Sequence, residues 1–152
     1  MAELTAQQVD YLLYRRTYLR RLLSLTEPNT SSSIIQRPHK SRGHGSLVER
    51  IALFRCVISK GLDELDEAIR TLPPNLRQVA SWKYEQHLTY REIAARETKR
   101  LKRRGLKDAR VSTSTIHYQV QKIREHCASR CPSINEEFWR AIRTLTDGGV
   151  LP

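Results

Sequence analysis

The feature that most limits what this chain can fold into is a seam of large apolar residues at Leu47, Ile51, Phe54, Ile58, Leu62, Leu65, Ile69 and Leu72, spaced by steps of 4, 3, 4, 4, 3, 4 and 3. Steps alternating between three and four keep one face of an α-helix inward, here over about seven turns. Pro73-Pro74 closes the run, because proline disfavours helix in the residue before it and opens a new helix in its first turn. A helix of ~26 residues spans about 39 Å at 1.5 Å per residue. That is more than one small core buries, so the helix must pack against a first helix, another protomer, or both.

Four capping phrases mark helix starts: Thr5 to Gln8, Ser46 to Glu49, Thr89 to Glu92 and Ser133 to Glu136. In each, a hydroxyl is placed to accept from the amide three residues on, whose own side chain reaches back. Val9, Leu12, Leu13, Leu19, Leu22 and Leu23 stripe a first helix over about residues 6 to 25. Residues 27 to 46 are rich in Ser, Pro, Gly and basic residues without periodicity and read as a flexible loop. With 12 Gly and Pro among 152 residues and 7% aromatics, the expectation is an all-α protein.

Beyond the prolines, Leu76, Val79, Trp82, Leu88, Ile93 and Ala94 would line one small core, with two helices meeting across the Gln86 to Thr89 corner. Ser112 offers the cap of a further helix. Its inner face would be Ile116, Val120, Ile123 and Cys127, and its outer face Ser114, His117, Tyr118 and Gln121. A short polar face of donors and acceptors is what reading base edges in a major groove requires. An ordinary solvated face has the same pattern.

The formal net charge is +11 and it is unevenly spread: residues 88 to 131 hold 12 basic residues against 4 acidic, whereas 1 to 87 hold 13 against 9 and 132 to 152 hold 2 against 3. A concentrated positive charge favours a polyanionic partner. The expected phosphate contacts are Lys99, Arg100, Lys102, Arg103, Arg104, Lys107 and Arg110 from the basic run, with Thr113 and Lys122 from the helix that follows. That run either prolongs the helix begun at Tyr90, with Gly105 as its cap, or forms a mobile loop. Its Ala, Arg, Glu, Lys and Leu content favours the helix.

Residues 72 to 94, with Leu-Pro, Arg77 before Val79, and Thr89-Tyr90-Arg91-Glu92-Ile93-Ala94, resemble the fourth region of bacterial sigma factors. Residues 111 to 127, with Val111-Ser112, Thr115-Ile116 and Ile123-Arg124-Glu125, resemble that region's recognition helix. The two phrases cover about 40 residues, and about 12 extra residues separate them here. Nothing in residues 1 to 71 resembles a promoter-melting region. The layout is similar to phage late-transcription activators of the RinA and ArpU type. That resemblance implies a DNA-binding activator of phage late genes that works with host RNA polymerase.

The organisation expected is therefore an N-terminal helical hairpin with a long helix over 1–72, serving oligomerisation or partner docking and carrying the flexible loop 27–46. A sigma-region-four-like helix-turn-helix DNA-binding domain over 73–131, with a basic insertion at 98–110, follows, and then a C-terminal helix over 132–152 in which Phe138, Ile142 and Leu145 point inward. The partners expected are double-stranded DNA, bacterial RNA polymerase and, as one option, a second copy of the chain. A phage small terminase subunit recognising packaging DNA is the rival reading, and a basic chromosome-binding protein with little site preference is a third. No Gly-rich phosphate loop, strong metal-ligand spacing or supported nucleophile set is present, so neither an enzyme nor a cofactor is expected. Cys56, Cys127 and Cys131 read as reduced structural thiols. No apolar run approaches the roughly 20 residues of a membrane span and no secretion signal is evident, which gives the host bacterial cytoplasm as the expected compartment.

Overall fold

The computed structural model describes residues 3–25 and 46–147. Six α-helices and no strand occur among them: α1 Ala6–Leu25, α2 Ser46–Arg70, α3 Pro74–Ala80, α4 Tyr90–Arg103, α5 Thr113–Ala128 and α6 Glu136–Asp147. The fold is all-α. The loop read at 27–46 falls outside the described residues as far as 45, as does Gly148, and the side chains of Ser46 and Leu47 are likewise not described.

By contact, the described chain clusters into two units, each drawn from separate parts of the sequence. Among the described residues, the first joins 3–15 to 65–131 and the second joins 16–25 and 46–64 to 132–147. The core of the first unit is Val9, Leu12 and Leu13 of α1, Leu65 and Ala68 of α2, Leu72, Val79, Trp82, Ile93, and the inner face of α5, Ile116, Val120, Ile123 and Cys127, all buried. α5 lies against both α3 and α4.

Between α3 and α4 the helix does not stop at Ala80 but widens into a π-turn over Ser81–Glu85, where the Gln86 amide donates to the Ser81 carbonyl at 3.1 Å. His87 then takes φ +56°, the left-handed conformation that reverses the chain. This is the corner read in the sequence at 86–89. Thr89 caps α4 reciprocally with Glu92, at 3.2 and 2.9 Å. The basic run does prolong α4, to Arg103. It ends at Gly105 (φ +97°), where the Leu106 amide reaches the Leu101 carbonyl and the Gly105 amide reaches the Lys102 carbonyl, both at 3.1 Å. That pair of bonds is a Schellman cap, which needs a left-handed residue at this position.

In the second unit, α1 and α2 run antiparallel: Arg20 pairs with Asp63 at 2.6 Å, and the Arg55 guanidinium donates to the Leu23 carbonyl at 3.4 Å. Of the seam, Ile58, Leu62, Leu65 and Leu72 are buried, while Ile51, Phe54 and Ile69 are half-buried. The seam, expected to pack against a first helix, another protomer or both, is thus covered within the chain from Ile58 on, with Ile69 half-buried. Gly61 lets α6 come close, because a Cβ there would stand 2.5 Å from the Phe138 ring. Phe138, Ile142 and Leu145 point inward as the sequence indicated. The cap of α6 differs from the reading: Asn135 accepts from the Phe138 amide at 3.1 Å, whereas Ser133 is taken by Glu64, its amide at 2.7 Å and its hydroxyl at 2.6 Å. A carboxylate from α2 outbids the local cap, a competition that sequence spacing does not reveal. Among the described residues, no helix is long and apolar enough to cross a membrane.

Candidate nucleic-acid interface

Ser112, with extended backbone, caps α5 by accepting from the Thr115 amide at 3.3 Å. With Ile116, Val120, Ile123 and Cys127 fully buried, the 3.6-residue period turns Ser114, His117, Tyr118 and Gln121 outward, and all four are exposed. Tyr118 is 62% exposed, with the Lys122 ammonium 5.2 Å from its ring centre. Lys122 also lies 3.8 Å from Glu125, and the Gln121 amide nitrogen is 3.5 Å from the same carboxylate. His117 meets the edge of Tyr90 at 4.0 Å, so one of the four is tied to the start of α4. Thr113 occupies the first helical position of α5 and is exposed.

The residues read as phosphate contacts do not all share one side. Lys99, Lys102, Arg103, Arg104, Lys107 and Arg110 are exposed, whereas Arg100 is half-buried and holds the buried Glu97 carboxylate with two bonds, at 2.5 and 3.0 Å. Lys107 and Arg110 belong to the stretch that leads into α5, which is fixed to α4 where Thr98 accepts from the Val111 amide at 3.0 Å. Lys99, Arg100 and Arg103 instead join Arg96 and Trp82 around a cleft of about 420 Å3. Arg96 was not singled out in the sequence, although it continues the same face at four and seven residues before Arg100 and Arg103.

Behind α5 lies a polar cluster that the sequence did not disclose. Asp10 of α1 accepts from the Arg124 guanidinium at 3.0 and 2.7 Å and from the Tyr84 hydroxyl at 2.5 Å. Burial alone would raise the Asp10 carboxyl; the bonds from Arg124 and Tyr84, with the charges of Arg124 and Lys83, outweigh it and hold the group below its ordinary value. Burial and the Asp10 carboxylate push the Tyr84 hydroxyl far up, so it stays a donor. Beside it the buried Lys83 ammonium donates to the Tyr14 hydroxyl at 2.8 Å and sits about 5 Å from the rings of Tyr14, Tyr84 and Tyr90. Three aromatic faces and a hydroxyl compensate its desolvation. The cluster links α1, the π-turn and α5 over 114 positions of sequence, from Asp10 to Arg124.

Cys127 and Cys131 are buried in the first unit and Cys56 is exposed, and among the described residues no group of three or more His, Cys, Asp or Glu side chains is arranged to hold a metal ion. In comparisons with protein-family models, with curated proteins and with solved structures, nothing matches this chain.

Proposed function

We propose that the chain is a sequence-specific, double-stranded-DNA-binding regulator of transcription in which α5 enters the major groove. α3, the π-turn, α4 and α5 act as a helix-turn-helix of the sigma-region-four kind with a lengthened first helix. The observation that carries this reading is the division of α5 into a fully buried apolar side and an outer side of Ser114, His117, Tyr118 and Gln121 directly after a basic stretch. Gln supplies paired donor and acceptor groups suited to adenine, and Ser and His add further donors and acceptors. Thr113, Lys122, Lys102, Arg104, Lys107 and Arg110 hold flanking phosphates and set the register.

The sequence resemblance extends the proposal to an activator of phage late genes that works in the host cytoplasm with bacterial RNA polymerase, alone or as a homodimer on a repeated half-site. Selection of bound sites from random duplex DNA tests the central claim: a defined site should emerge and map next to a promoter in the source genome. A pool that stays random after selection removes the proposal, and a site at a packaging origin bound by rings of eight or more protomers transfers it to a terminase subunit.

A further inference from the structure

The cleft on α4 is a concave, strongly charged surface that base reading by α5 leaves without a role. Arg96, Lys99, Arg100 and Arg103 recur at intervals of three, one and three and so share one side of the helix, with Trp82 of the π-turn as the wall. At about 100° per residue, the middle of that side lies roughly 150° around α4 from Thr98, the residue that ties down the approach to α5. These cations therefore do not continue the stretch that feeds the reading helix. The cleft volume, about 420 Å3, is within the range of small-ligand sites.

We propose that Arg96, Lys99, Arg100 and Arg103, walled by Trp82, form a second anion site, separate from the outer face of α5, that binds phosphate groups. The inference adds a site to the DNA-binding reading but does not depend on it. Four cations converge on the cleft, and the Glu97 carboxylate bonded to Arg100 offsets one of them. That surplus suits a ligand with several negative charges close together, as in a run of phosphates, better than a single carboxylate. Three of the four are guanidiniums, whose flat fork matches phosphate oxygens. Glu97 holds Arg100 by its Nε and Nη2, which leaves Nη1 for a ligand, and Gln86 accepts from Arg96 at 3.1 Å, so both guanidiniums are positioned before a ligand arrives. Trp82, only 8% exposed, lines the cleft and so senses what enters it.

The phosphates have two sources: the backbone of bound DNA, or a free polyphosphate such as a nucleoside triphosphate. The chain holds two tryptophans, so the full-length Trp139→Phe protein reports on Trp82 alone. Tripolyphosphate and a nucleoside triphosphate should each change its emission saturably. Adding Arg96→Gln and Arg103→Gln should weaken that binding by about tenfold or more without altering the melting curve. The same pair should flatten the slope of log affinity against log salt for duplex DNA by roughly 1.8 if the backbone is the source, and leave it unchanged if the source is a free polyphosphate. Gln121→Ala should leave the Trp82 response intact, so loss of DNA preference in that variant bears on α5 alone. Unchanged emission with every phosphate probe overturns the inference. So does poly-glutamate binding more tightly than tripolyphosphate, which would make the cleft a dock for an acidic protein.

Discussion

Gln121 gives the cleanest test of base reading, because it is exposed on the outer side of α5 and carries only a long 3.5 Å contact to Glu125. Replacing it with Ala should cost about 1 to 3 kcal/mol at the selected site and relax preference at one or two base pairs, measured by competition with single-base variants of that site. Equal loss on all sequences would mean that Gln121 meets phosphate instead. His117 is a poorer probe, since its removal also disturbs the Tyr90 contact. His126 behaves differently again: burial, and then the charge of Arg130, lower its pKa below the ordinary 6.5, and its Nε2 lies 3.0 Å from the Thr71 hydroxyl. A histidine lowered in the folded state contributes stability that is present above pH 6.5 and lost as pH falls through that value toward the folded one. The full chain should thus melt at lower temperature as pH drops from 7.5 to about 5.5, and His126→Gln should reduce that dependence. An identical pH profile in the variant would assign the loss to other groups.

Two glycines decide how elements end and meet. Gly105 at φ +97° has nothing within 4 Å of where a Cβ would stand, so Ala there suffers only the backbone penalty. About 1 kcal/mol of destabilisation and faster amide exchange at the end of α4 are expected for Gly105→Ala, without loss of the core. Gly61→Ala should be worse despite better helix propensity, because the new methyl would drive into the buried Phe138 ring and the Ile134 side chain. Overpacking of that kind costs about 1 to 3 kcal/mol, and thermal unfolding measures it. Gly105 illustrates what was legible in sequence. Helix starts at Thr5 and Thr89, the cap at Ser112 and the end at Gly105 rest on bonds between residues a few positions apart, which spacing encodes. The outer face of α5 followed from its buried stripe for the same reason. The Asn135 cap, the Asp10–Tyr84–Arg124 cluster and the burial of Lys83 were not legible, because each is decided by a partner elsewhere in the chain: Glu64 claims Ser133, and α1 supplies Asp10 and Tyr14. The α4 cleft is half-legible: its charges stand in the sequence, but their separation from the α5 side depends on the helix being continuous to Arg103.

At the scale of the whole molecule, the division of the sequence at residue 72 is not where the contacts divide. The unit that contains α5 also contains residues 3–15 and 65–72. The sequence assigns DNA reading to 73–131 and only assembly or docking to 1–72. The structure changes that expectation. Removing 1–72 strips Val9, Leu12, Leu13, Leu65 and Leu72 from the core behind α5, all of them 5% exposed or less. At about 1.5 to 3 kcal/mol for each large buried side chain, the loss is roughly 7 to 15 kcal/mol, as much as the whole stability of an ordinary domain. It also leaves Arg124 without Asp10, and Lys83 without the Tyr14 hydroxyl. Residues 73–152 alone should therefore show no cooperative melt and no selective DNA binding. Asp10→Ala in the full chain, which removes the carboxylate but keeps the apolar core, should still melt cooperatively, about 1.5 to 3 kcal/mol less stable. A double-mutant cycle with Arg124→Ala should return most of that loss as coupling between the two residues. If 73–152 instead unfolds cooperatively and binds the selected site as tightly as one half-site of the full chain, then α1 and the end of α2 are dispensable to reading, and the cluster at Asp10 serves the N-terminal segment rather than α5.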